Sequence, residues 1–336
     1  MIVPFTIDPD IFSAPPNSRV DFAKHKQLIR LWRNYGVLVI PGAGKSDSRI
    51  FKALQTSDQR IKALWTNCFK QCTQELKNSS VDEALKKSEF NKLSSQKIKL
   101  WCIDESKDKL LGIERESHSK IIKNNEICMF GYEQYSQAFE IAEQLANNPI
   151  TDSDDPDKTW KERFLPLCKY ATNIIVCDPH IVQNFLWSKG KKLSGIHRLI
   201  KNIAEINSEK PKILHIYSSN RVGREIVEFD EIFEKLSNYC TSFKNKSIRE
   251  VRLHLTTLSE YRPQHYRMFK FDDHHLVTSD SGIELLGDEG RNRTHDFNLK
   301  HLYDESSKPY RDDLKRLELS MTFNKIIELN SHSFNK

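Results

Sequence analysis

Residues 2–7 alternate toward a strand and stop at Asp8-Pro9-Asp10. Residues 21–34 then set Phe22, Leu28, Ile29, Leu31 and Trp32 on a helical stripe. Gly36 ends that helix, and Val37-Leu38-Val39-Ile40 reads as a buried strand closed by Pro41-Gly42. Helical spacing returns over 48–76, a strand over 97–104, a short apolar run over 127–130 and a further helix over 132–147. Residues 148–157 are polar and acidic and hold two prolines, which predicts a linker. Beyond them the pattern predicts a helix over 158–170 and an apolar strand, Asn173-Ile174-Ile175-Val176-Cys177, ending at Asp178-Pro179-His180. Helices over 193–206 and 230–243 then alternate with strands over 212–217, 250–255 and 265–271. An amphipathic helix over 311–329 comes last.

Strands that alternate with helices predict an α/β protein whose sheet pairs parallel strands near its centre. At 336 residues the chain has room for two domains. The pattern divides it into an α/β domain over 1–150, a second over 151–305 with a mixed, mostly parallel sheet, and a C-terminal helix over 306–336. A hydrophobic content of 38% with 10% aromatics places the chain among globular proteins. No window approaches the ~20 apolar residues of a membrane span, and the opening residues lack a basic segment followed by an apolar one, so a cytoplasmic protein is expected.

Seven cysteines show no paired metal spacing and read as reduced core thiols. A net charge of +6 with a pI near 8.8 favours a phosphate-bearing partner such as nucleic acid, without demanding one. Gly42-Ala43-Gly44-Lys45-Ser46 suggests a P-loop, but the first glycine of that loop would fall at Val39, inside a strand, so the cradle is too short.

The densest chemistry lies at His265-Tyr266-Arg267, with Asp272 five residues beyond the arginine and His274-His275-Leu276-Val277-Thr278-Ser279-Asp280-Ser281-Gly282 following. Residues two apart on a strand share a face, so His265 and Arg267 would present imidazole and guanidinium together. Arginine is always cationic and can grip a phosphate with two N–H groups. Asp272 would sit off the strand end, where it can orient an imidazole or a neighbouring backbone. Asp178 and His180 end a strand at its carboxyl side; they line the same pocket, or the Asp-Pro pair only caps a turn. His275, Ser279 and Ser281 are further candidates for substrate contact. His274 and His275 beside Asp272 and Asp273 suggest a metal, but neighbours on a strand face opposite ways. Asp8, Asp10, Asp104, Glu105, Glu114 and Glu116 could together form a metal-dependent nuclease site, or be solvated strand ends.

The His-x-Arg-x-x-x-x-Asp string resembles the signature of the phospholipase D superfamily, in which His, Lys and Asp stand at these positions before a small-residue turn. The order of elements from 155 to 303, about half the chain, is similar to one such unit. It looks particularly like single-motif bacterial members and the C-terminal phospholipase D-like domain of MIT-domain proteins. Arg267 departs from the family lysine, and Ser279 stands where the family has glycine. The resemblance implies a phospholipase D-like α/β sandwich and phosphodiester cleavage without metal or cofactor, on nucleic acid. It implies His265 as nucleophile or general acid, Arg267 as phosphate clamp and Asp272 as orienting carboxylate. Such enzymes use two histidines, and this chain has one good motif copy. The second imidazole would come from a homodimer across a twofold axis, or from His118-Ser119-Lys120 with Asn125 in the aspartate position. Analogy suggests a microbial defence or toxin effector, with residues 1–150 meeting a protein partner. The competing expectation is a non-catalytic module that binds nucleic acid, another phosphate-bearing ligand or a protein.

Overall fold

The computed structural model describes residues 1–13, 19–41, 47–77, 98–107, 113, 118–122, 125–151, 154–188, 192–208, 210–257, 267–288 and 294–330. The chain is α/β, as its patterning predicts, and forms two compact units, Met1–Leu145 and Ala146–Lys336.

In the first unit β1 (Val3–Ile7), α1 (Arg19–Tyr35), β2 (Gly36–Pro41), α2 (Arg49–Thr56), α3 (Gln59–Gln71) and β3 (Gln74–Lys77) lead to β4 (Leu100–Ile103), β5 (Ser119–Ile122), β6 (Asn125–Met129) and α4 (Gln137–Asn147). The sheet runs β3-β2-β1-β4-β6-β5, parallel except for β5, which returns antiparallel on β6. β2, β4 and β6 are buried along their whole length, as strands of a sheet covered on both faces must be. The single helical run expected over 48–76 is broken at Ser57-Asp58. The Asp58 carboxylate accepts the Arg60 N–H at 2.9 Å and starts α3, and the chain leaves helix for β3 at Gln74. Between α1 and α3, Trp65 Nε1 donates to His25 Nδ1 at 3.1 Å, inside a cluster with Phe12 and Phe130.

The second unit begins at Ala146, ahead of the expected linker, and takes that segment in. Asn148 and Pro149 carbonyls accept from Arg163, Ile150 bridges to His295, and the Asp155 carboxylate caps α5 (Pro156–Thr159). The segment is built into the unit because each of its backbone groups named here finds a partner there. A π-wound turn, Trp160–Phe164, joins α5 to α6 (Leu165–Tyr170). There follow β7 (Asn173–Cys177), α7 (Ile181–Trp187), α8 (Gly195–Ala204), β8 (Lys212–Ser219), the hairpin β9 (Arg221–Val222) and β10 (Glu225–Ile226), and α9 (Phe229–Thr241). The rest is β11 (Ile248–Thr256), β12 (Arg267–Phe271), β13 (His275–Ser279), β14 (Phe297–His301), α10 (Lys308–Ser320) and β15 (Phe323–Glu328).

The sheet order is β14-β13-β12-β7-β8-β11-β15; β7, β8 and β11 are parallel and the flanking strands antiparallel. The helix expected over 311–329 stops at Ser320. The β-branched pair Ile326-Ile327 instead extends along the open edge of β11, with Ile327 turned inward.

The α6–β7 junction is held by a buried lysine and a half-buried carboxylate. Lys212, fully buried, donates to the Lys169 carbonyl at 2.9 Å and the Ala171 carbonyl at 2.6 Å, and burial lowers its pKa to about 8. The Asp272 carboxylate accepts the Thr172 N–H at 3.0 and 3.1 Å and the Asn173 N–H at 2.7 Å. All seven cysteines are buried and free, and among the described residues no helix is long and apolar enough to cross a membrane.

Candidate functional site

The carboxyl end of β7 delivers Asp178, and β12 runs back beside it with Met268 opposite Cys177, which brings Arg267 level with Asp178. Arg267 pairs in turn with Ser279 on β13. The chain then turns through Asp280-Ser281-Gly282 into a 3₁₀ turn, Gly282–Leu286, that carries Glu284 inward. α7 starts just past Asp178 and adds Gln183 and Asn184. Asp178, His180, Gln183, Asn184, Arg267, Ser281, Glu284 and His295 together line a cleft of about 280 Å³. It lies where the parallel strands end, the usual ligand position of such sheets.

Asp178 is 1% exposed. Its Oδ1 accepts the His180 N–H at 2.9 Å, its Oδ2 accepts the Ile283 N–H at 3.3 Å, and Arg267 Nε stands 3.6 Å from Oδ1. Burial pushes its carboxyl above the usual carboxylate range, against the opposing pull of Arg267. Arg267 Nη1 donates to the Asp280 carbonyl at 2.6 Å, which fixes the guanidinium across the cleft. Burial likewise raises the Glu284 carboxyl, though the Gly195 N–H and Asn184 both donate to it. Ser281 Oγ bonds His295 Nδ1 and lies 3.2 Å from Asp280 Oδ1.

Two glycines make this packing possible. Gly282 has φ +58, and a Cβ there would lie 2.0 Å from Asp178 Oδ2 and 2.7 Å from Arg267 Cδ. A Cβ on Gly195 would lie 2.0 Å from the Ile283 carbonyl oxygen.

Of the residues singled out in the sequence, Asp178, His180, Arg267 and Ser281 meet in the cleft. Ser279 is buried beside it, its Oγ accepting the Ser281 N–H at 3.2 Å to shape the turn. Asp272 and His275 do not join them. Asp272 has φ +48 and sits at the opposite end of β12, five residues or about 17 Å from Arg267. Its carboxylate is committed to the β7 backbone, so of the two uses open to it the structure has the backbone one. His275 packs on His301, ring centroids 6.1 Å apart, at that same far end.

His265 lies outside the described residues, as do Gly42 to Ser46, Glu114 and Glu116. His118 stacks on Tyr132 at 3.8 Å in the first unit. Asp8 and Asp10 hold Lys107, Glu105 pairs with Lys24, and Asp104 accepts from Ser106, so these carboxylates are engaged by neighbours. Among the described residues no group of three or more His, Cys, Asp or Glu is arranged to hold a metal ion.

Sequence reading missed Gln183, Asn184, Glu284 and His295. The first two were findable, because a helix that starts at the carboxyl end of a central strand aims its first turn at the ligand position. His295 carries no such signal. Comparison with known protein families, with curated proteins and with solved structures returned no match. What the arrangement can do is chemical: it offers one fixed guanidinium for an oxyanion, two imidazoles, and two carboxyls with raised pKa, Asp178 buried and Glu284 half-buried.

Proposed function

We propose that the second unit binds and cleaves a phosphodiester of nucleic acid in the manner of phospholipase D enzymes. The observation that carries this reading is the Arg267 guanidinium, fixed by Asp178 and the Asp280 carbonyl in a cleft shared with His180. Arg267 grips the phosphoryl oxygens. His265, two residues earlier in the chain, attacks phosphorus with a neutral ring nitrogen, and the P–O bond to the leaving oxygen breaks. A second imidazole, in its protonated form, gives its proton to that oxygen. It then takes a proton from the water that cleaves the phosphohistidine.

His180 stands in the same cleft as Arg267 and supplies that second imidazole within one chain, an alternative to a partner's histidine across a dimer axis. The purified protein is tested on labelled oligonucleotides in EDTA. Cleavage abolished by His265→Ala and slowed about 10²-fold or more by His180→Ala supports the mechanism. Cleavage that requires added metal refutes it. Full activity of His180→Ala, with a rate that falls on dilution into monomer, moves the second imidazole to a partner chain.

A second reading, a non-catalytic phosphate-binding module, is favoured by the single motif copy and by the tight hold on Arg267. Pyrophosphate binding that is lost in Arg267→Met, without cleavage by wild type, would select it.

A further inference from the structure

Beside the cleft the molecule exposes an indole. α7 ends at Trp187, which is 54% exposed. It stands four residues after Gln183 and three after Asn184, both lining the cleft. Such spacing puts all three on one helix face within about one turn. A second wall rises next to it. The β9–β10 hairpin grows from Asn220, just past the carboxyl end of β8, where the buried Asn220 donates from Nδ2 to the Val227 carbonyl at 3.1 Å. Its turn is tied to α7, because the Gly223 N–H donates to Gln183 Oε1 at 3.2 Å. A Cβ at Gly223 would lie 3.3 Å from Trp187 Cζ2, so the hairpin backbone flanks the six-membered ring of the indole. Arg221, Arg224 and Ile226 are exposed on the same hairpin, with one acid, Glu225. Arg221 Nε donates to the Gly223 carbonyl at 3.0 Å, which curls its side chain back toward the turn.

A large aromatic that stays 54% exposed, against a hairpin that carries two exposed arginines, spends little of its apolar area on packing within the fold. The combination matches what single-stranded nucleic acid needs. Every base has a π-face that stacks on an aromatic ring, and the phosphates on either side favour cations. An unpaired base is required, because in a duplex both faces of an interior base are already stacked.

We propose that Trp187 and the β9–β10 hairpin form a stacking platform for an unpaired base of single-stranded nucleic acid, next to the phosphate held at Arg267. The proposal rests on the reading of the cleft as a phosphodiester site. It makes the substrate class single-stranded and gives α7 two tasks: Gln183 and Asn184 face the cleft, and Trp187 fixes which phosphate reaches it.

The test uses the full chain in fluorescence anisotropy against labelled thymidine and uridine strands of about ten nucleotides, and against the thymidine strand annealed to its complement, at fixed salt. Pyrophosphate, followed by calorimetry, probes the cleft alone. Trp187→Ala is expected to weaken both single strands by about 5- to 150-fold while pyrophosphate affinity stays unchanged. Trp187→Phe is expected to remain within about threefold of wild type, since the ring is kept. Single-strand affinity unchanged in Trp187→Ala, with pyrophosphate binding lost in Arg267→Met, overturns the platform alone. Duplex bound as tightly as single strand overturns it too. So does a wild type that binds no strand, which would leave the indole to a protein partner. Pyrophosphate affinity unchanged in Arg267→Met overturns the cleft reading, and with it the placement of the strand.

Discussion

Replacing Gly282 by alanine tests the cleft geometry directly. An alanine at φ +58 costs about 1–2 kcal/mol in backbone strain alone. Its Cβ would lie 2.0 Å from Asp178 Oδ2, so the carboxyl group must move and give up the 3.3 Å bond from the Ile283 N–H, a further loss of about 1–3 kcal/mol for a buried group left unpaired. The sum is about 4 kcal/mol. For a unit spanning Ala146–Lys336, at about 2–4 °C per kcal/mol, the melting transition should fall by about 10 °C. Gly223→Ala is the control. It too has positive φ, at +63, but its Cβ would meet only the exposed Trp187 ring, so it should cost the backbone part and leave the cleft intact. Scanning calorimetry with pyrophosphate titration measures both variants. Because the alanine methyl also lies 2.7 Å from Arg267 Cδ, Gly282→Ala should lose pyrophosphate affinity and Gly223→Ala should keep it. A Gly282→Ala protein that melts within about 2 °C of wild type and binds pyrophosphate normally would show that Asp178, Arg267 and this turn are not packed as described.

Asp272→Ala should destabilise the second unit by about 2 kcal/mol, because the Thr172 and Asn173 N–H groups lose their acceptor, yet leave pyrophosphate affinity unchanged; a large affinity loss would restore an orienting role. Burial lowers the His25 pKa from 6.5 to about 4, so the unfolded chain binds the extra proton first; chemical denaturation of the first unit should show about 2 kcal/mol lost between pH 7 and pH 5, and a flat profile there would refute the buried neutral imidazole. Lys212 has the same sign in another window. Between about pH 8 and 10 the unfolded chain holds the proton that the folded one sheds, so wild type should gain about 2 kcal/mol relative to Lys212→Met, and parallel curves would rule that out.

The α/β class and the central strands were legible because Ile174, Val176 and Leu214 lie in apolar runs that fit buried strands, while Val251, Leu253 and Leu255 alternate with polar residues at strand spacing. β13 and β14 were not read as strands, since His275 to Ser279 was absorbed into the motif and Phe297 to His301 is a short polar-apolar alternation. Asp178 and Arg267 could be paired in advance, since strand ends and strand faces follow from spacing. Glu284 and His295 reach the cleft through tertiary packing of a 3₁₀ turn and an isolated bridge, which no periodicity encodes. Asp272 is different, because five residues at the rise of a strand already place it beyond reach of Arg267. Reading the motif as a unit hid that arithmetic.

Gly195 and Gly282 stand far apart in sequence, yet each is stripped of a side chain so that one short turn can pass between α8 and Asp178. Together with Asp178, Arg267 and Glu284 they make a pattern of five positions whose identities are constrained by space, whatever the rest of the chain does. A distant relative that keeps this cleft would keep those five letters while its loops and surface drift. They are therefore a better probe for finding kin than the continuous string around Arg267.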